Sequence, residues 1–440
     1  MLPDNVLLEI FDLYPNNHDY TRCTVWKWYL LVRVCQRWRQ IAFASPHRLN
    51  LQILCTYRTP VRKNLGIWSA LSIVVDYAYS GRGITTSDED NVIAALEHSD
   101  RVCYLVLNIT GSQLGNMVTV MQEPFTVLTH LSIFSGDGNA SVLPAGFLGG
   151  SAPCLQTIHL RGIPFPTLPT VLLSANDLVT LKLHAIPSTG YISPEAMVAS
   201  LAALPRLETL IIEFQSATPR PDQIRPPPVT RTVLTALISF RFQGASEYLE
   251  NLVAQIDSPQ LDRILIVYLN QLVDFQVTQL SGSIDRSVGP EISLFRHAQV
   301  TFFSDWVAFT VYRHANHPSS DWRPAGTFVS CEGIDWQVSH IAQVLSQFSA
   351  TLSNVVHLKL EVGTKKYRQI EGTVDVEWPH LLHQFSAVQT LHVSWELAWH
   401  VALALKDITG NMVAEVLPFL DLIYLPGQLA SSIQNFVAVR

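Results

Sequence analysis

A six-residue phrase, L-x-x-L-x-L with Ile or Val substituting freely, recurs along most of this chain and limits what it can fold into. It stands at 128–133, 155–160, 178–183, 207–212, 234–239, 261–266, 355–360 and 388–393. From Leu128 to Leu261 the starts fall every 23 to 29 residues. Weaker copies lie at 71–75, 102–107, 292–300 and 417–422. Within each phrase apolar and polar residues alternate, as Leu181 and Leu183 do against Thr180 and Lys182. Such alternation predicts a short strand with one face buried and the other free. Helical patterns fill the intervals. Ser193-Pro194-Glu195 leads into Met197, Leu201 and Leu204, with Ser193 as cap and Pro194 in the first turn. Tyr248, Leu252 and Ile256 form a second stripe, and Val338, Ile341, Leu345 and Phe348 a third. Each strand-helix unit hides its apolar side only against the next, so the expected product is a curved stack of units.

A period of this length is similar to that of leucine-rich repeats. The resemblance implies an α/β fold, a solenoid with a parallel sheet on its concave face and helices on its convex face. The composition agrees, since 48% of the 440 residues are hydrophobic and only 15% are charged, against roughly 25% charged in ordinary soluble domains. The pattern departs from the usual repeat after the strand. Where Asn or Cys ordinarily stands three positions beyond the last strand leucine, Leu160 is followed by Ile163 and Leu183 by Ile186. Without an asparagine ladder, the turn must satisfy its backbone groups by other means. Two stretches, 219–228 with its three final prolines and 312–326, read as excursions or breaks between repeats.

The first fifty residues follow another rule. From Pro3, Val6, Leu7, Ile10, Phe11 and Tyr14 recur at helical spacing, with Asp4 in the first turn where the helix dipole favours an anion. A second helix is expected from about Val25 to Ala44, with Leu31, Val34, Cys35, Trp38, Ile41 and Ala42 on one face, ended by Ser45-Pro46. A segment this short cannot bury enough apolar area alone, so its greasy faces need the rest of the chain or a partner.

The order of those residues closely resembles the F-box. Leu2-Pro3 opens the segment, Glu9-Ile10-Phe11 lies in the first helix, and Val34-Cys35-Gln36-Arg37-Trp38 supplies the Val-Cys-x-x-Trp signature. The segment between them, 16–27, is longer and more polar than usual. The resemblance implies a module at 1–50 that docks on the Skp-family adaptor of a cullin-RING ubiquitin ligase. A solenoid at 51–440 would then bind a protein substrate. Carried over by position, Leu2 and Pro3 would enter the adaptor's apolar groove, joined by Ile10, Phe11, Val34, Cys35 and Trp38. On the strand face, Thr180, Lys182, Thr209 and Ile211 are the candidate substrate contacts. The alternative is a scaffold or receptor without a ligase, whose N-terminal helices only cover the apolar end of the first repeat.

Other functions find little footing. With 29 Lys plus Arg against 36 Asp plus Glu, the net charge of −7 is mild and mixed, and nucleic acid is not an expected partner. The six cysteines, at 23, 35, 55, 103, 154 and 331, form no C-x-x-C pair, which suits a reducing compartment, cytoplasmic or nuclear. The acidic opening is unlike a secretory signal, and 102–122 carries too many amides for a membrane span. The glycosylation triplets at Asn108 and Asn139 read as chance. The pairs His314/His317 and His380/His383 lack a third ligand, the glycine pairs near 82 and 137 lack a phosphate-binding pattern, and Asp88-Glu89-Asp90 reads as an acidic first turn. Lys365, Lys366 and Arg368 read as a solvated loop. No metal, cofactor or catalytic set is expected.

Overall fold

The computed structural model describes residues 2–13, 27–45, 48–49, 51–68, 70–78, 84–136, 142–166, 168–217, 230–269, 278–288, 295–304, 306–312, 325–330, 334–348, 352–363, 378–407 and 416–424. The fold is mixed α/β, with a large, mainly parallel sheet and helices. Two compact units divide the chain, Met1–Thr180 and Leu181–Arg440. The segment 1–50 thus belongs to the first unit together with several strands.

The first unit opens with three helices, α1 (Asp4–Leu13), α2 (Lys27–Val34) and α3 (Gln36–Ala44). The single helix expected over 25–44 is broken at Cys35, whose backbone is extended at φ −159° and ψ 169°. Its Sγ accepts from the Trp38 N–H at 3.5 Å, so the cysteine starts a new helix instead of continuing the old one. Five parallel strands come next in chain order: β1 (Gln52–Cys55), β2 (Ser72–Tyr77), β3 (Val102–Asn108), β4 (His130–Phe134) and β5 (Thr157–Arg161). β1 has no L-x-x-L-x-L phrase and was not foreseen. Leu105, Leu131 and Ile158 align across β3, β4 and β5 and are fully buried. The acidic run at 88–90 opens the helix Thr86–Leu96, where Thr85 and Asp88 cap reciprocally.

The second unit holds β6 (Thr180–Ile186, beginning on the last residue of the first unit), β7 (Thr209–Phe214), β8 (Thr232–Val233), β9 (Ser239–Gly244), β10 (Ile256–Asp257) and β11 (Arg263–Tyr268). It continues with β12 (His297–Phe302), β13 (Trp306–Tyr312), β14 (Ala325–Ser330), β15 (His357–Val362), β16 (Thr390–Val393) and β17 (Leu422–Tyr424). β8 and β10 pair separately. The main sheet runs β7-β9-β11-β14-β13-β12-β15-β16-β17. All its neighbours are parallel except around β13, which lies antiparallel to both β12 and β14. The expectation of an all-parallel stack is corrected there. A tight turn reverses the chain, with the Phe303 N–H donating to the Trp306 carbonyl at 2.9 Å and the two rings stacked 3.6 Å apart. Gly363 sits against that turn, and a Cβ there would meet the Phe303 ring at 2.2 Å.

The helices follow the apolar stripes. Pro194–Leu201 starts at Ser193, whose hydroxyl accepts from the Ala196 N–H at 3.2 Å. Ser246–Val253 carries Tyr248 and Leu252 of the second stripe, while Ile256 falls on β10, and Ile334–Leu345 carries Val338, Ile341 and Leu345 of the third, with Phe348 in the short helix that follows. Two phrases are displaced by three residues. At 234–239 the strand starts only at Ser239, with Leu237, Phe240 and Phe242 buried, and at 417–422 it starts at Leu422. Both regions carry leucines three apart on either side of the turn, so the phrase can be read from two starting points.

Backbone hydrogen bonds stand where an asparagine ladder would. The residue after a strand donates to the end of the neighbouring strand: Ile109 to Phe134 at 3.0 Å and Ser135 to Arg161 at 2.9 Å in the first unit. In the second, Gln215 donates to Ile186, and Ser394 donates to Leu360 within β15, both at 2.9 Å. The sheet thus pairs one residue further, which removes the need for a side-chain ladder. Gly162, at φ +67°, allows this, since a Cβ there would lie 2.4 Å from the Ser135 carbonyl oxygen. The stretch 219–228 lies outside the described residues, as does most of 312–326.

Candidate binding surfaces

α1 carries apolar residues on two sides. Leu7 and Phe11 point inward, and the Phe11 ring meets Trp38 of α3 edge-on at 4.8 Å and 60°. Val6, Ile10 and Leu13 recur at four- and three-residue spacing and are 36%, 43% and 73% exposed. On α2, Leu31 and Val32 are buried while Leu30 and Val34, one turn apart, are exposed. A soluble helix ordinarily keeps one apolar stripe, facing the core.

The entry to α1 is clamped. The Arg37 guanidinium donates from Nε to Asp4 Oδ1 at 3.0 Å, and from Nη2 to the same oxygen and to the Leu2 carbonyl, each at 2.5 Å. This fixes the Leu2-Pro3 step on the surface, where both side chains are exposed. Arg48 pairs with Glu9. Of the seven positions carried over from the F-box resemblance, Leu2, Pro3, Ile10, Val34 and Cys35 are exposed, Trp38 is half-buried, and Phe11 is wholly interior. In this arrangement Phe11 is a core residue, because a ring packed on Trp38 has no surface left to offer. Val6, Leu13 and Leu30 were missed. The i, i+4, i+7 spacing of Val6, Ile10 and Leu13 beside the Leu7/Phe11 stripe was the signal.

Along the strands, Thr180, Lys182, Thr209 and Ile211 lie half-buried, alternating with the buried Leu181, Leu183, Leu210 and Ile212. Register places Thr209 beside Ser239 and Ile211 beside Arg241. The same face holds an ion cluster not foreseen. Glu213 Oε2 lies 2.5 Å from His184 Nδ1, and Oε1 lies 2.5 Å from Arg241 Nε. Burial pushes the Glu213 carboxyl up, but the His184 hydrogen bond and the charges of His184 and Arg241 outweigh it and hold the group below the ordinary carboxylate range.

Further along, rings stack from strand to strand. Tyr312 lies over His297 at 5.5 Å and 6°, His297 over His357 at 4.6 Å and 13°, and His392 over Tyr424 at 4.4 Å and 9°. Beside them, Glu361 accepts from Thr301 at 3.3 Å and from Gln299, and pairs with Lys359 at 2.5 Å. Partial burial, with His357 and Lys359 nearby, lowers the pKa of His392. In the first unit Leu54, Val74 and Val106 are buried, and Tyr104 stacks on His130 at 4.5 Å.

Among the described residues no three His, Cys, Asp or Glu side chains group to hold a metal ion, and no helix is long and apolar enough to cross a membrane. His380 and His383 lie on the helix Trp378–His383, while His314 and His317 lie outside the described residues. Burial pushes the Cys55 thiol up to about 12 and the Cys103 thiol up to about 11, so neither is a ready nucleophile. No protein-family model matches the chain, and no curated protein matches it.

Proposed function

We propose that the chain is a substrate-recognition subunit of a Skp-cullin-F-box type ubiquitin ligase, acting by recognition rather than catalysis in the cytoplasm or nucleus. Its F-box-like segment, 1–50, docks on the Skp-family adaptor, and its leucine-rich-repeat-like solenoid, 51–440, holds a protein substrate. The observation that carries this reading is the second apolar stripe of α1, Val6, Ile10 and Leu13, exposed although Leu7 and Phe11 already serve the interior. Apolar area left in water has a cost that a docking partner removes, at roughly 25 cal/mol for each Å² covered. Leu2 and Pro3 precede that stripe in the order the F-box resemblance implies, and Arg37 holds their backbone in place.

A second reading has its own support. Phe43 of α3 stacks on Trp68 at 4.1 Å and 28°, so the helical head also packs on the chain just ahead of β2. Covering the end of the repeats would explain that contact without a ligase. Co-purification separates the two. The full chain, co-expressed with a Skp-family adaptor, is expected to retain it as a known F-box control does, and Pro3→Ala with Trp38→Ala should weaken retention. A chain that melts normally yet retains no adaptor, while the control does, leaves only the capping role.

A further inference from the structure

The second unit's strand face has a charge opposite to that of the chain that carries it. Among its described positions, Lys182, Arg241, Arg263 and Lys359 oppose only Glu213 and Glu361, although the whole chain has a net charge of −7. Both carboxylates are already engaged, Glu213 by His184 and Arg241, and Glu361 by Lys359, Gln299 and Thr301. Those pairs also engage Arg241 and Lys359, so what the face offers a visitor is Lys182 and Arg263, with the amides and hydroxyls of Gln243, Ser239 and Thr310 on the same face.

Four histidines share this face, His184, His297, His357 and His392, each alternating with buried neighbours on its strand. Register aligns His297 with His357, and sets Gln299, Lys359, His392 and Tyr424 in one row across β12, β15, β16 and β17. The titratable and charged groups facing His297, His357 and His392 from the strands packed against them are Tyr312, Tyr424, Lys359 and Glu361, among the described residues. Protonation of an imidazole adds positive charge, so acidification makes this face more cationic, although burial with His357 and Lys359 nearby holds back that charge at His392.

We infer that this strand face takes an extended, acidic segment of a partner protein and holds it more tightly as the pH falls. The inference rests on the proposed reading of the strand face as the substrate surface, and it names that substrate's chemistry. Lys182 and Arg263, together with the stacked imidazoles, suit carboxylates displayed at intervals along an extended peptide. Complementary charge of this kind also selects against basic segments, because like charges brought together cost free energy.

The test uses the full chain and two short fluorescent peptides, one of alternating Glu and Ser and one of alternating Lys and Ser, each carrying a photo-crosslinking group. Fluorescence anisotropy should show the Glu peptide binding at least about tenfold more tightly than the Lys peptide at low salt. Its affinity should rise about five- to tenfold from about pH 7.5 to about pH 5.5, and cross-links should map to β6 and the main-sheet strands of the second unit. His297→Gln, His357→Gln and His392→Gln together should abolish the pH response, and Arg263→Glu should weaken binding at every pH. A Lys peptide that cross-links to this face as well as the Glu peptide does would overturn the charge assignment while leaving the surface reading intact. Cross-links mapping elsewhere, or no binding of either peptide, would overturn both. A pH response that survives the histidine variant in a normally melting protein would overturn the role given to the imidazoles.

Discussion

The helical head and the strand face of the second unit show opposite chemistry to water. On α1 the outward residues include three apolar ones, Val6, Ile10 and Leu13, while on β9, β11 and β15 they include Arg241, Arg263 and Lys359. Both surfaces arise from simple periods, near 3.6 on the helix and 2 on the strand, but the polar half of the pattern is missing from part of α1. An apolar surface binds by shedding water and hardly senses salt, whereas a charged face is screened within about 8–10 Å at ordinary ionic strength. The two proposed docking chemistries can therefore be addressed independently by experiment.

The sharpest way to break the comparison is to remove the head's interior. Phe11→Ala deletes a fully buried ring packed on Trp38 and should cost the head about 3–5 kcal/mol. Proteolysis of 1–50 ahead of the remainder would reveal it, and adaptor retention should fall because the module no longer holds its shape. Ile10→Asp with Val34→Asp should act differently. Both side chains are exposed, so thermal melting should move little, yet adaptor affinity should drop by about 2 kcal/mol or more if these residues anchor the contact. An adaptor affinity that tracks stability in both variants would erase the distinction between core and docking stripe.

On the strand side, Glu213→Gln keeps the shape but removes the charge between His184 and Arg241. It should cost about 1–2 kcal/mol in urea unfolding, with the loss reduced at high salt. The smallest effect concerns Glu250, on the helix Ser246–Val253. Its carboxyl accepts from the N–H groups of Gln279 and Leu280, at 2.7 and 3.0 Å, in the first turn of the helix Thr278–Val288. Burial raises its pKa despite those bonds, so the folded chain holds this proton more tightly than the unfolded one. Its stabilising effect is complete below the ordinary carboxylate range and is lost as the pH rises through the raised value. The unfolding free energy of the native chain from urea titration, relative to that of Glu250→Gln, should therefore decline over that interval. A constant difference would show that the carboxyl does not change its proton affinity on folding.

The repeat phrase located most of the strands, because its buried leucines are also the sheet's inward residues. Leu131, Leu160, Leu181, Leu210, Leu358 and Leu391 are all buried as the alternation requires. It failed where several registers satisfy the same spacing, as at Leu234 and Leu237, and only packing of Phe240 and Phe242 decides between them. It also missed β13, whose run Trp306–Tyr312 lacks the phrase and whose direction depends on the turn at Phe303. In the head, the helix break at Cys35 was not legible, since a cysteine accepting a backbone hydrogen bond leaves no mark in apolar periodicity. The outer stripe of α1 was legible in part, through Ile10. The Glu213 cluster was not, because its partners lie on three strands distant in sequence.

The reversal at β13 also bears on how this unit is built as it emerges from synthesis. β11 comes off the ribosome with one edge open, and the strand that closes it is β14, not the next one made. β12 appears first, two places further along the sheet, with its neighbour β13 still to come. β12, β13 and β14 thus close on β11 from the far side, and β15 then joins the free edge of β12. A chain stopped short of residue 325 would leave β11 as a bare, hydrogen-bonding edge, the kind of surface through which unfinished polypeptides adhere to one another.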